Sequence, residues 1–309
     1  DASQTIGSGH VMRSSAIAEE LLARGQEVIF MGVFSDIPWL DMRIRNLGFS
    51  QILTSSSEFI SNPATDVLIL DSYTVSVEEK FIQQNNWKSV ITIVDKLTPG
   101  YKTELMIHPG LSADWIQAKS TKILSGPKHI PLRKSIRKNQ ENEVEGGNLE
   151  ILIVGGGADT FNFVGAVSLA LMKIKENFHA RIFTDNTTLT QQDSRFERVP
   201  IGSELDKYAS TADLVFTTAS TTSLEFIARE VAVGIGCAVD NQEEYYAALS
   251  STGVAMPVGR RDKDSWQINQ SILTKLVWSK ELRRALRQKC AGLIDLNGSS
   301  RIVDEILKL

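Results

Sequence analysis

Cysteine is scarce in this chain of 309 residues: Cys237 and Cys290 stand far apart, outside any CxxC or other ligand spacing. A disulfide framework is excluded, and no zinc pattern is offered. No apolar run approaches the length of a membrane span and no secretory signal is visible, so membrane insertion is not expected and cytoplasm is the default compartment. Basic residues are in no excess, with 33 Lys and Arg against 37 Asp and Glu for a formal net charge of -4. A broad nucleic-acid footprint needs the opposite balance, whereas holding one small anion needs only a few well-placed amides. No carboxylate pair placed for catalysis, metal-ligand cluster or serine triad stands out in the sequence. What remains is a globular composition, 42% hydrophobic and 23% charged, over a length that allows two separate cores. The expected partner is a small molecule, with no cofactor and no metal. The oligomeric state stays open, a monomer included.

Short apolar runs alternate with helical patterns from one end to the other. Strands are expected at 27–31, 66–70, 89–94 and 105–108, with helices over 36–46 and 76–85. The stretch 134–148 is polar, charged and without periodicity, and reads as a linker. Beyond it the alternation restarts, with strands at 149–154, 180–183, 214–217 and 232–235 and a helix over 161–176. Two final helices are expected over 262–289 and 299–309. Such alternation signals βαβ units and parallel sheets covered on both faces. The fold class is therefore α/β, with two Rossmann-like doubly wound domains, 1–133 and 149–298, facing a cleft that is the natural ligand site.

Seven places along this pattern carry candidate chemistry. Residues 5–13 read TIGSGHVMR, where Gly7 and Gly9 lead into His10 and an amphipathic helix. Glycine lets backbone approach a ligand closely, and amides at a helix start favour negative charge. The opening thus offers an anion cradle with His10 as a proton acceptor inside it; a plain chain reversal has the same pattern. Residues 154–159 read VGGGAD, a strand entering a glycine turn, but no Gly-Lys-Ser/Thr follows, and Asp159 and Phe161 break dinucleotide-binding spacing. Residues 217–225 read TTASTTSLE, a helix start whose hydroxyls and amides at Ser220, Thr221 and Thr222 suit a diphosphate, with Glu225 further in as an acceptor for ribose hydroxyls. An ordinary capped helix is the alternative there. Asp71-Ser72-Tyr73, Asp95 and His108 each follow an apolar run, where a turn, a cap or a structural histidine is the plain reading, and Asp240-Asn241-Gln242 opens another helix.

Taken in order, DAS followed by IGSGHVMRSSAIAEEL resembles the start of the nucleotide-sugar hydrolases that make the precursor of pseudaminic acid, and of the spore-coat polysaccharide proteins of the same superfamily. The resemblance continues through DSY at 71–73, LSGP and PLR at 124–133, GGGAD at 155–159, Asn241-Gln242, and DLNGSSR at 295–301. It covers nearly the whole chain in matching order. Relatives carry Arg-Ala-Asp and a short strand before the glycine loop, so a first strand is expected to be missing from this numbering. They also carry a second aspartate and Leu-Ala where this chain has Asp95-Lys96-Leu97-Thr98, which leaves Asp95 to orient its neighbours, and Gly-Gly where it has Ala219-Ser220.

The resemblance implies the glycosyltransferase-B architecture, with the terminal helix 299–309 crossing back onto the first domain. It implies hydrolysis of UDP-2,4-diacetamido-2,4,6-trideoxy-β-L-altropyranose at the anomeric carbon with inversion, releasing UDP without a metal. His10 is then the catalytic base. Substrate and nucleotide contacts fall on Gly7, Gly9, Arg13, Tyr73, Gly156, Ser220, Thr221, Thr222, Glu225, Asn241 and Gln242. UDP is a good leaving group, so preorganised amides and hydroxyls matter more than a general acid. The rivals are a glycosyltransferase of the same fold using a sugar or lipid acceptor, a nucleotide-sugar 2-epimerase, and a nucleotide-sugar-binding protein without turnover.

Overall fold

The computed structural model describes residues 1–55, 59–72, 75–76, 81–82, 87–95, 103–111, 121–139, 148–188, 193–202 and 204–309. They divide into two units, 1–134 together with 295–309, and 135–294.

In the first unit the strands are short, apolar and parallel. β1 (Ile29–Met31) pairs with β2 (Gln51–Leu53) in one sheet, and β3 (Val67–Leu70), β4 (Ser89–Ile93), β5 (Leu105–Ile107) and β6 (Lys122–Leu124) lie side by side in chain order in another. α1 (Gly9–Ala23) serves both cores because its buried positions fall on a wide stripe. Ile17 and Leu21 join Ile91, Ile93, Leu105 and Ile107, while Val11 and Ala18 join Phe30, Phe34 and the buried face of α2 (Pro38–Arg45). The C-terminal helix Gly298–Ile306 adds Ile302, Val303 and Ile306 to the first of these cores. Arg24 fastens it from α1, donating to Ser300 Oγ at 2.7 Å and pairing with Asp304.

In the second unit seven strands form one sheet in the order β13-β12-β11-β10-β7-β8-β9, parallel except for the last hairpin. Its strands are β7 (Leu149–Val154), β8 (Phe178–Phe183), β9 (Phe196–Val199), β10 (Leu214–Thr218), β11 (Ala232–Cys237), β12 (Met256–Asp262) and β13 (Ser265–Ile268). The helices are α3 (Phe163–Leu171), α4 (Leu205–Ala209), α5 (Thr221–Ala228), α6 (Glu243–Ser251), α7 (Gln270–Trp278) and α8 (Lys280–Cys290). Phe163, Val164 and Val167 of α3 pack with Ile151, Ile153 and Phe216, which places the core on that face of the sheet. Residues 135–139, within the stretch read from composition as a linker, pack in this unit: Ile136 is buried and Asn139 donates to the Ala209 carbonyl.

The single helix expected over 262–289 is corrected. β12 continues to Asp262 and turns into β13, whose Trp266 indole donates to the Phe161 carbonyl at 2.8 Å and sets its ring edge against Phe163. Helix begins only after Asn269, whose side chain accepts from Ile272 N, and is interrupted at Ser279, whose hydroxyl accepts from Leu282 N. Two polar caps inside one apolar-periodic stretch restart the helix. No helix among the described residues is long and apolar enough to cross a membrane.

Candidate functional site

The first unit gathers its polar side chains at the carboxyl ends of adjacent parallel strands. Asp71 follows β3, Asp95 lies two residues past β4, and His108 follows β5, with Leu70 opposite Thr92 and Ile93 opposite Ile107 in register. α1 faces them with His10 in its first turn and Arg13 one turn on. His10 Nδ1 lies 2.6 Å from Asp71 Oδ1, and the two side chains are 11% and 4% exposed. Arg13 Nη2 is 3.3 Å from the same ring nitrogen, but its shorter contact, 2.6 Å, is to Asp71 Oδ1. A guanidinium cannot accept a proton, so the consistent assignment is Nδ1–H donating to Asp71, which leaves Nε2 as the basic nitrogen.

Asp71 is the centre of this cluster. Besides His10 it accepts from Arg13 Nε at 2.7 Å and from Ser14 Oγ at 3.0 Å. Burial by itself would raise its pKa; the charge and hydrogen bonds of Arg13, with the His10 bond, reverse this and hold the carboxyl well below the usual range. Asp71 is therefore an anion at any working pH and fixes the imidazole in one tautomer. Arg13, placed among substrate contacts by the sequence reading, has its guanidinium engaged by Asp71 and, through Nη1 at 2.7 Å, by Asp95. Gly7 has φ +82 with open space beside it, a backbone that only glycine adopts without strain, and Gly9 is the first residue of α1. Tyr73 lies outside the described residues.

The second unit has its own crevice. β7 pairs with both β8 and β10, so the chain leaves β7 and β10 toward opposite sides of the sheet, which is where parallel α/β sheets bind ligands. Val154 stands opposite Thr217, so the glycine turn after β7 and the hydroxyl-rich start of α5 leave the sheet side by side. Gly156 has φ +89 and nothing within 4 Å of where a Cβ would stand. Ser220, Thr221 and Thr222 are half-buried at the start of α5; Ser220 N donates to Ser223 Oγ at 3.2 Å, and Ser223 Oγ donates back to the Ser220 carbonyl at 2.6 Å. Glu225 is buried at 7% exposed, one turn into the helix. Asn241 is exposed, and Gln242 Oε1 accepts from Ala238 N at 2.9 Å, tying the end of β11 to the next turn. The structure thus brings together His10, Arg13, Gly7 and Gly9 in one unit, and Gly156 with Ser220–Thr222 in the other.

Sequence reading passed over three carboxylates. Asp71 and Asp95 read from the sequence as turn or orienting residues, although each directly follows an apolar run, the one signal that marks them. Asp159 reads from the sequence as a residue that breaks dinucleotide-binding spacing and as the end of the GGGAD resemblance, with no role of its own. Its Oδ1 accepts from Phe163 N at 2.9 Å and Val164 N at 3.3 Å, capping α3, and folds back so that a Cβ on Gly155 would collide with it. Burial pushes its pKa from 3.8 up to about 7, against the pull of those two amides. A raised folded-state value means stability that is present at low pH and lost as pH climbs from 3.8 through about 7. Asp159→Asn keeps an oxygen for the amides and removes the charge. Its thermal midpoint should match the parent near pH 4 and exceed it at pH 8; parallel profiles would refute the assignment. Among the described residues no group of three or more His, Cys, Asp or Glu is placed to hold a metal ion.

No family model matches the chain, and no curated protein matches it. Solved structures do. MurG from Acinetobacter baumannii superposes with a TM-score of 0.68 at 16% identity, over 97% of this chain and 96% of that one. The calicheamicin glycosyltransferase CalG4 gives 0.61 at 11% identity, over 98% and 95%. A UDP-N-acetylglucosamine 2-epimerase gives 0.58 at 14% identity, over 96% and 93%. At such identities the likeness is one of fold: the chain has the glycosyltransferase-B fold, with two Rossmann-like domains.

Proposed function

We propose that this chain is an enzyme that breaks the anomeric C–O bond of a nucleotide sugar with inversion, using His10 as the base for the incoming hydroxyl. The observation that carries the reading is the His10–Asp71 pair at 2.6 Å, buried at the start of α1 and locked by Arg13. In the step, His10 Nε2 takes the proton of the attacking hydroxyl as its oxygen bonds to the anomeric carbon. The bond from that carbon to the diphosphate oxygen breaks, and its electron pair leaves with the nucleotide. Asp71 stabilises the imidazolium so formed without itself taking the proton. The glycine turn after β7 and the start of α5 are the proposed seat of the nucleotide, since amides and hydroxyls there suit a departing diphosphate.

Transfer to an acceptor hydroxyl is the first reading, because the solved structures sharing the fold include glycosyltransferases by name. Hydrolysis of a UDP-linked diacetamido-trideoxy sugar is the second, favoured by one observation, the IGSGHVMR opening. A panel of UDP-amino sugars, assayed for UDP release with and without hydroxyl acceptors and followed at the anomeric proton by NMR, separates them. Release in buffer alone means hydrolysis, release that requires acceptor means transfer, and tight binding with no release of any kind removes the enzyme reading. Thr222→Ala and Glu225→Ala should each weaken UDP binding about 10- to 100-fold, the scale of a lost hydrogen bond involving a charged partner. Unchanged affinity in both would mean the nucleotide sits elsewhere.

A further inference from the structure

One carboxylate shapes the glycine turn after β7. Asp159 stands at φ +45 and Asn162 at φ +51, left-handed backbone that residues with a side chain seldom adopt. That geometry folds the Asp159 side chain back over the turn, where a Cβ on Gly155 would collide with Oδ1. Gly156, the next residue, has nothing within 4 Å of where its Cβ would stand. Both α3 amides, of Phe163 and Val164, donate to Oδ1, so Oδ2 has no hydrogen-bond partner among the described residues. Among the same residues no cation pairs with Asp159. α3 reads FVGAVSLAL and brings no charge to it, and Trp266 of β13 reaches the Phe161 carbonyl beside it. The charges on neighbouring elements are Arg261 of β12, over the Phe161 ring and 3.2 Å from Asp264, and Glu225, buried one turn into α5. Burial therefore favours the neutral acid, opposed only by the two amides.

We propose that Asp159 is a wall of the diphosphate seat, taking up a proton from solvent when the seat fills and donating it from Oδ2 in a hydrogen bond to a phosphate oxygen. The inference rests on the glycine turn being part of the nucleotide seat, and it adds a residue and a proton to that reading. As a carboxylate, Asp159 repels the incoming anion. As an acid, it still accepts the α3 amides at Oδ1 and gains a donor on its other oxygen. Proton and diphosphate then each raise the affinity for the other by the same factor.

Calorimetric titration with UDP at pH 8, in two buffers of different ionisation enthalpy, counts the protons taken up. Asp159→Asn keeps an oxygen for the amides and offers an N–H where the acid has its O–H. The parent should take up about half a proton more than this variant, the consequence of raising a carboxyl that titrates near 7 by about one unit. From pH 6 to pH 8.5 the parent's UDP affinity should fall about five- to tenfold relative to that of Asp159→Asn, the titration of UDP itself being common to both. Asp159→Ala removes the cap as well as the charge and should lose the same extra proton. Equal uptake in parent and Asp159→Asn, with a change confined to Asp159→Ala, would mean that Asp159 only shapes the turn; the inference is then overturned while the nucleotide seat stands. A parent that binds no UDP removes both.

Discussion

His10→Asn lowers the rate of nucleotide release from the sugar donor by about 10²- to 10⁴-fold, the span usual for loss of a positioned base. Asparagine is the informative substitution because its side-chain amide still donates to Asp71. The hydrogen bond seen at 2.6 Å has a replacement, and Arg13 keeps both carboxylates. What disappears is the basic nitrogen on the far side of the ring. The loss should therefore fall on kcat, with the UDP dissociation constant unchanged, since the proposed nucleotide seat belongs to the other unit. Initial rates and calorimetric titration with UDP check both halves. A variant that releases UDP at the parent rate would remove His10 from the chemistry altogether.

Removing the C-terminal helix melts the first unit and leaves the second folded. Ile302, Val303 and Ile306 lie in one core with Ile17, Leu21, Ile91, Leu105 and Ile107, so a chain ending at Ile294 exposes that core to water. Ile302→Ala alone should cost about 2–5 kcal/mol, because the residue is fully buried and its neighbours are strands that do not collapse inward. Hydrogen exchange read by mass spectrometry localises the effect. Protection is expected to drop along β3 to β6 and α1, while β7, β10 and α3 keep theirs. Loss spread evenly over both units would mean that they do not fold as separate cores.

The fold was legible where burial and periodicity agree. ILIV at 151–154 is buried on both faces and VLIL at 67–70 is half-buried up to a buried Leu70, both in parallel sheets, and such strands read as continuous apolar runs. Legibility failed at 262–268, where SWQI is a short edge strand with no buried residue and its partner, β12, is buried only at Val258 and Gly259, so no apolar run announces it. The site divides in the same way. Glycines and hydroxyls at strand ends were visible as local motifs. The cluster around Asp71 was not, because Arg13 is 58 residues from Asp71 and 82 from Asp95, and they meet only once the strands stand in register. Arg13 shows the gap most clearly: a basic residue beside a glycine loop reads as an anion ligand until the two aspartates facing it are known.

The chain departs from the first unit after Lys134 and returns at Asp295, and the two ends of that excursion are neighbours. Leu132 N and the Leu132 carbonyl both hydrogen-bond Ser299 Oγ, at 3.1 and 3.0 Å, and a Cβ on Gly298 would stand 2.0 Å from the Ile130 oxygen. The second unit is in effect a guest spliced into a host. Excising residues 135–294 and bridging the cut with a few glycines and serines should yield the host as an autonomous protein, carrying its histidine dyad without its nucleotide seat.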